Sequence, residues 1–222
     1  DLIVVDENDY LPLGRLCLTY CLDVFTRYPL GYFLSFEPAS YLSIMECLYH
    51  AILPKSNVRE VYETKHDWQA FGIPYTLVVD RGPEFVGNDL KDACMLLEIN
   101  LEYMPPKTPE YKESVERLFG TINTGLLHTS GGTTFSNLWE RGDYNSLKKA
   151  IVTLEDLEKM LVIHNVDIYA ESFHTGLKAV PARQWETLTS NGFFPRVPSS
   201  NEELRVLLGR SEQRTVQKYG IE

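Results

Sequence analysis

An apolar, β-branched run, Tyr75-Thr76-Leu77-Val78-Val79, stops at Asp80 and is followed by Gly82-Pro83. A run of that kind bounded by turn residues reads as a β-strand, with its acid at the carboxyl end. A second acid, Glu116, follows after 35 intervening residues in Tyr111-Lys112-Glu113-Ser114-Val115-Glu116-Arg117-Leu118-Phe119-Gly120, a segment of helical period. A strand-end acid and a helix-borne acid can converge on one point and hold divalent metal, the arrangement used to cut or join phosphodiester bonds. Such chemistry needs a third acid.

The remaining pattern supplies the sheet. The opening strand, Asp1-Leu2-Ile3-Val4-Val5-Asp6, is followed by the runs 16–23 and 29–35, with polar or turn-rich breaks between them. These form a three-strand antiparallel meander. Ser40 can cap a helix carrying Tyr41, Met45, Leu48 and Ile52 on one face, ended by Pro54. Residues 55–70 are polar, with a short helix or loop. Asn88 or Asp89 starts a second amphipathic helix, with Leu90, Ala93, Leu96 and Leu97. A short strand, Asn100 to Met104, runs into Pro105-Pro106, and a further helix extends from about Pro109 to Leu126-Leu127. The order of elements fits a mixed α/β sheet flanked by helices. Residues 128–146 read as a long loop, helical period returns over 154–163, and 190–201 have a linker's composition.

A chain of 222 residues can bury a substantial core. It has no apolar run of membrane-spanning length and no secretory signal. It opens in a strand without an initiator Met, which reads as part of a longer protein. Cys17, Cys21, Cys47 and Cys94 form no CxxC pair and read as reduced thiols, mostly in apolar segments, in keeping with a cytoplasmic setting. The net charge of −10 opposes indiscriminate DNA binding, which rests on Lys and Arg neutralising phosphates. Metal-binding acids themselves subtract charge, so the balance does not oppose catalysis.

Three separated motifs resemble the DDE integrase/transposase catalytic core: residues 21–31, residues 79–85, and Val115-Glu116-Arg117-Leu118-Phe119-Gly120-Thr121-Ile122-Asn123. His174-Thr175-Gly176-Leu177, with Pro181 and Trp185, is similar to the segment after the core in bacterial Mu-type transposases. The ending 214–221 looks like the entry to their C-terminal β-barrel. The resemblance implies a ribonuclease H-like mixed five-stranded sheet, three antiparallel strands then two parallel, flanked by helices, with a mainly helical C-terminal extension. It implies a catalytic core over 1–127, a loop and helical extension over 128–189, and a linker plus the start of a β-barrel over 190–222.

The family roles fall on Asp80 and Glu116 as catalytic, metal-holding acids, with two Mg²⁺ ions as cofactor and Mn²⁺ able to substitute. The first acid belongs to an Asp-x-Thr tripeptide upstream of Asp1 by this alignment. Asp6 is the metal-holding alternative within the chain, and Asp1 the third choice. Lys107, Lys112 and Arg117 lie near the site in sequence, where they either contact DNA phosphate or form a solvated, salt-bridged face.

The implied function is 3′-end nicking and strand transfer of a mobile element. Its partners would be DNA (element ends and target), other copies of the chain on DNA, and an ATP-dependent target-selection protein, in a bacterial cytoplasm at the nucleoid. The alternatives are a catalytically silent DNA-assembly module of the same fold, a stand-alone ribonuclease H-like nuclease and, more distantly, a two-carboxylate glycosidase. Asp23 ends a strand but is read as turn chemistry. Glu113 illustrates an ordinary solvated helix acid. The histidines are scattered, with His66-Asp67 as a weak local pair, and Tyr41, Tyr49 and Phe33 read as core.

Overall fold

The computed structural model describes residues 3–9, 11–80, 82, 85, 87–104, 152–209, 216–217 and 220–221. Strand β1 (Ile3–Val5) pairs antiparallel with β2 (Pro12–Arg15), in register Val4 to Gly14. After the single residue Leu16 the chain continues as β3 (Cys17–Leu22), which pairs antiparallel with β4 (Pro29–Ser35). The two antiparallel pairings expected of a meander are present, but β1 pairs with Pro12–Arg15 and β4 with Cys17–Leu22, in separate sheets. Pairing with β1 overrides the poor strand propensity of Pro12 and Gly14.

Helix α1 (Tyr41–Ile52) starts at N-cap Ser40, whose N–H donates to Ser43 Oγ at 2.9 Å. It stops at Leu53, where the backbone turns extended ahead of Pro54. Helix α2 (Val58–Tyr62) is one short turn of the polar stretch. Strand β5 (Thr76–Val79), helix α3 (Asn88–Leu96) and strand β6 (Asn100–Tyr103) form a β-α-β unit, with β5 and β6 parallel and Leu77 opposite Leu101.

Beyond lie β7 (Val152–Thr153), helix α4 (Leu154–Ile163), a π-helical turn at His164–Tyr169, helix α5 (Pro181–Ser190) and helix α6 (Asn201–Leu207). Two short strands, β8 (Val216–Gln217) and β9 (Gly220–Ile221), pair antiparallel. The class is α/β. Among the described residues the strands fall into four separate sheets, and the second edge of β1 is taken by β7 in parallel. These pairings do not by themselves join five strands into one sheet, and β1 offers only three residues to its neighbours.

Two apolar cores hold the elements. One gathers Tyr28 and Tyr32 with Trp68, Leu161, Val166 and Trp185, so α4 and α5 cover the meander. The other joins Ile44, Leu48 and Ile52 of α1 to Leu90 and Cys94 of α3 and to Leu204 of α6. Leu204 is fully buried, a contribution of about 1.5–3 kcal/mol for such a side chain. A Cβ on Gly31 would stand 2.6 Å from the Ala51 amide nitrogen, so β4 and α1 touch backbone to backbone.

The linker-like stretch before α6 is a packed strap. Arg196 donates to the carbonyls of Pro74 (2.9 Å) and Glu98 (3.2 Å), and its guanidinium lies 4.7 Å from the Tyr75 ring centroid. Gly72 takes φ +123°, and a Cβ there would meet Pro195 at 2.7 Å. A composition rich in Ser, Pro and Asn set the expectation of a linker. A single arginine with several carbonyl partners ties it down.

The outer edge of β4 is closed by side chains. Tyr32 N–H donates to His50 Nδ1 at 3.1 Å, and Trp68 Nε1–H donates to the Pro29 carbonyl at 2.7 Å. Such capping blunts an edge that would otherwise recruit another strand. Burial, with the Lys55 ammonium nearby, pushes the His50 imidazole down to about 3. Because this lies below the ordinary value near 6.5, the neutral form stabilises the fold above about pH 6.5 and that stability drains away as pH falls toward 3. Unfolding free energy is expected to drop by up to about 1.4 kcal/mol per pH unit below pH 6.5. Denaturant unfolding between pH 6.5 and 5, above the range where carboxylates dominate, reads it. A His50→Gln variant should lose this component, and an unchanged slope would refute the assignment.

Candidate active site

Asp80 follows the last residue of β5 and is half-buried. Its Oδ1 accepts the Gly82 N–H at 2.9 Å, and the Phe85 N–H closes the turn onto the Gly82 carbonyl at 3.0 Å. The other carboxylate oxygen has no hydrogen-bond partner among the described residues. On the neighbouring strand, Met104 N–H donates to the Val79 carbonyl at 2.8 Å, and Tyr103 Oη–H donates to the Phe85 carbonyl at 2.9 Å. The acid is therefore held from both sides of the strand end. Nothing in the sequence singled out Tyr103. Only the parallel register, which sets it opposite Val79, brings it to the loop.

Glu116, Lys107, Lys112 and Arg117 lie outside the described residues, as does Asp1. Asp6 is described. Its Oδ1 accepts the N–H groups of Asn8 (2.8 Å) and Asp9 (3.4 Å), and its own N–H donates to the Leu11 carbonyl at 2.9 Å. The Asn8 backbone bond, then that of Asp9, holds its carboxyl below the usual carboxylate range. These bonds make Asp6 the organiser of the turn between β1 and β2, an Asx-type role.

Asp23 has the turn role read for it. Its Oδ2 accepts both the N–H and the hydroxyl of Thr26 at 2.6 Å, and its N–H donates to the Tyr28 carbonyl at 3.0 Å. Its own carbonyl accepts from Arg27, whose φ of 60° is left-handed. His66 departs from the expectation of a pair with Asp67. Its Nδ1 sits 3.0 Å from Asp167, which also accepts the backbone N–H groups of Lys65 and His66. Asp67 faces Arg59 at 3.8 Å instead. The partner across 101 residues wins because its carboxylate is met by two backbone donors as well as the ring.

Sequence reasoning also missed Glu158 of α4, whose Oε1 accepts hydroxyls from Tyr32 (3.1 Å) and Tyr62 (3.2 Å). All four cysteines are free thiols; Cys47 and Cys94 are buried, and burial pushes the Cys94 thiol up to about 11. Among the described residues no three His, Cys, Asp or Glu side chains gather as a metal-binding group. The donor chemistry at Asp80 is a hard carboxylate oxygen without a hydrogen-bond partner among the described residues. It fits Mg²⁺ or Mn²⁺ as one ligand of a set that the described residues do not complete.

The family model of the TnsB C-terminal domain matches residues 1–132, which contain both Asp80 and Glu116. The chain belongs to the TnsB C-terminal domain family. The resemblance to transposase and integrase cores drawn from the sequence motifs is borne out. Among relatives, the transposase for transposon Tn552 of Staphylococcus aureus is 26% identical over 208 residues, covering 94% of this chain and 39% of that protein. The Tn7 transposition protein TnsB of Escherichia coli is 23% identical over 237 residues, covering 100% of this chain and 34% of that protein. This TnsB-family chain thus spans between a third and two fifths of the relatives it matches.

Similar solved structures include a chain of the simian T-cell lymphotropic virus intasome in complex with PP2A regulatory subunit B56 gamma. It has a TM-score of 0.48 and 15% identity, covering 89% of this chain and 55% of that one. The catalytic core domain of BIV integrase has a TM-score of 0.41 and 14% identity, covering 78% and 88%.

Proposed function

We propose that this chain is the catalytic core region of a bacterial DNA transposase, joining a mobile element to target DNA by metal-dependent phosphoryl transfer. The observation that carries the reading is Asp80. It is fixed at the end of a parallel strand, with one oxygen unpartnered among the described residues, within a chain of the TnsB C-terminal domain family. The ribonuclease H-like five-stranded sheet belongs to this reading, as do the divisions at 1–127, 128–189 and 190–222.

Asp80 and Glu116 would hold the metal ions together with a third acid. Bound Mg²⁺ or Mn²⁺ supplies charge neutralisation at the reacting phosphate and a lowered pKa for the attacking oxygen. Asp80 would contribute a carboxylate whose orientation is set before substrate arrives, and Glu116 a second. Lys107, Lys112 and Arg117 would contact DNA phosphates. Water cleaves the phosphodiester at the element end, and the freed 3′-hydroxyl then attacks a target phosphodiester as its 3′-oxygen leaves. Positioning and charge stabilisation do most of the work in such transfers.

The partners of this reading are element-end and target DNA, further copies of the chain, and an ATP-dependent target-selection protein, all in the bacterial cytoplasm. Among the described residues no helix is long and apolar enough to cross a membrane.

The test is strand joining by the full-length protein on DNA carrying element ends, with Mg²⁺, Mn²⁺ or EDTA. Joining is expected only with the divalent ion. Asp6→Asn should leave it unchanged, since that carboxylate serves the β1–β2 turn. Joining in EDTA would end the metal reading, and its loss in Asp6→Asn would make Asp6 the first acid.

A further inference from the structure

We infer that Tyr103 is a positioning residue for Asp80, acting through the loop that joins β5 to α3. The inference rests on the reading of Asp80 as a metal-holding acid and adds to it the device that aims the carboxylate.

The loop leaves β5 at Asp80 and enters α3 at Asn88. Two of its described bonds are local: Gly82 N–H to Asp80 Oδ1, and Phe85 N–H to the Gly82 carbonyl. Local turns of this kind open readily when nothing outside holds them. Tyr103 supplies the outside hold. It stands opposite Val79 in the parallel ladder, is half-buried, and donates its phenol to the Phe85 carbonyl at 2.9 Å. The next residue, Met104, donates its N–H to the Val79 carbonyl.

The bonds form a closed circuit: from β6 to Val79, through Asp80 to Gly82, on to Phe85, and back to Tyr103. Phe85 is partly buried against the second core, which fixes the far point of the circuit. The consequence falls on the carboxylate. A donor on Oδ1 leaves the other oxygen directed away from Gly82, and that choice persists only while Gly82 stays in place. Outer partners of metal-holding carboxylates set orientation in this manner, and their loss costs roughly 10–100-fold in affinity or activity. The sequence offers no sign of it, because a tyrosine on a short strand is ordinary β chemistry.

The experiment uses the full-length protein and two readouts besides activity: calorimetric titration with MnCl₂, and amide hydrogen exchange over residues 80–87. Tyr103→Phe keeps the ring and removes only the donor. Exchange at Gly82 and Phe85 is expected to accelerate, Mn²⁺ affinity to fall by roughly tenfold, and strand joining to recover when Mn²⁺ is raised. Leu101→Ala, on the same strand and packed against the second core, is the control for general loosening. It should lower the unfolding temperature without changing either readout. Tyr103→Phe with wild-type exchange, or Leu101→Ala reproducing both changes, overturns the inference. Asp80→Asn in the same titration separates the two claims: unchanged Mn²⁺ binding there removes Asp80 from the site. Lost binding there, beside wild-type exchange in Tyr103→Phe, removes only the brace.

Discussion

Asp80→Asn and Glu116→Gln in the full-length protein are each expected to lower DNA strand joining by about a thousandfold or more, equivalent to about 4 kcal/mol of lost transition-state stabilisation. Both substitutions keep shape and remove charge, so they test the carboxylates as holders of metal. In Asp80→Asn the side-chain amide oxygen can still accept the Gly82 N–H, so the loop should persist and the unfolding midpoint should hold. Binding to element ends should also hold, because phosphate contacts come from other residues. Glu113→Gln, close to Glu116 in sequence, is the matched control and should join DNA normally. Unchanged turnover in either acid variant would remove that residue from the chemistry.

Trp68→Ala is expected to destabilise the fold by about 3–5 kcal/mol, the range for emptying a large aromatic site. Trp68 is 4% exposed and stacks near Tyr32, with ring centroids 6.1 Å apart at 21°. His50 meets it edge-on at 5.4 Å, and the Lys55 ammonium lies 5.4 Å from its ring. Truncation would strip the Pro29 carbonyl of its donor. Trp68→Phe should retain most of the packing and lose mainly that bond, at a cost of about 1 kcal/mol. Denaturant unfolding followed by circular dichroism measures both. A loss under about 1 kcal/mol for the alanine variant would show that the site collapses around the gap, contrary to the rigid packing described.

These two sites differ in how they could be found. Asp80 was legible because strand, acid and turn lie consecutively, and each residue type has its own conformational demand. Asp23 was legible for the same reason: its turn is closed by Thr26, three residues on. Helix α1 could be bounded from Ser40 and Pro54, and α3 from Asn88, since caps and breakers act locally. Trp68 could not be placed in a core, because it sits in a polar stretch and its partners come from β4 and α1. His66 was assigned the neighbour in sequence, while its carboxylate partner comes from the π-helical turn. The strap before α6 was read from composition, which reports the chain's flexibility when free and not the carbonyls that Arg196 finds.

Local chemistry in the chain itself marked the strand that ends at Asp80, the helices α1 and α3, and two acids with transposase-like surroundings. Folding in three dimensions decided the partners: the Tyr103 phenol on the Phe85 carbonyl, His50 and Trp68 on the edge of β4, and α6 in the second core. Hydrogen bonds and packing between residues far apart depend on register and distance, and neither quantity is carried by the order of residues along a segment.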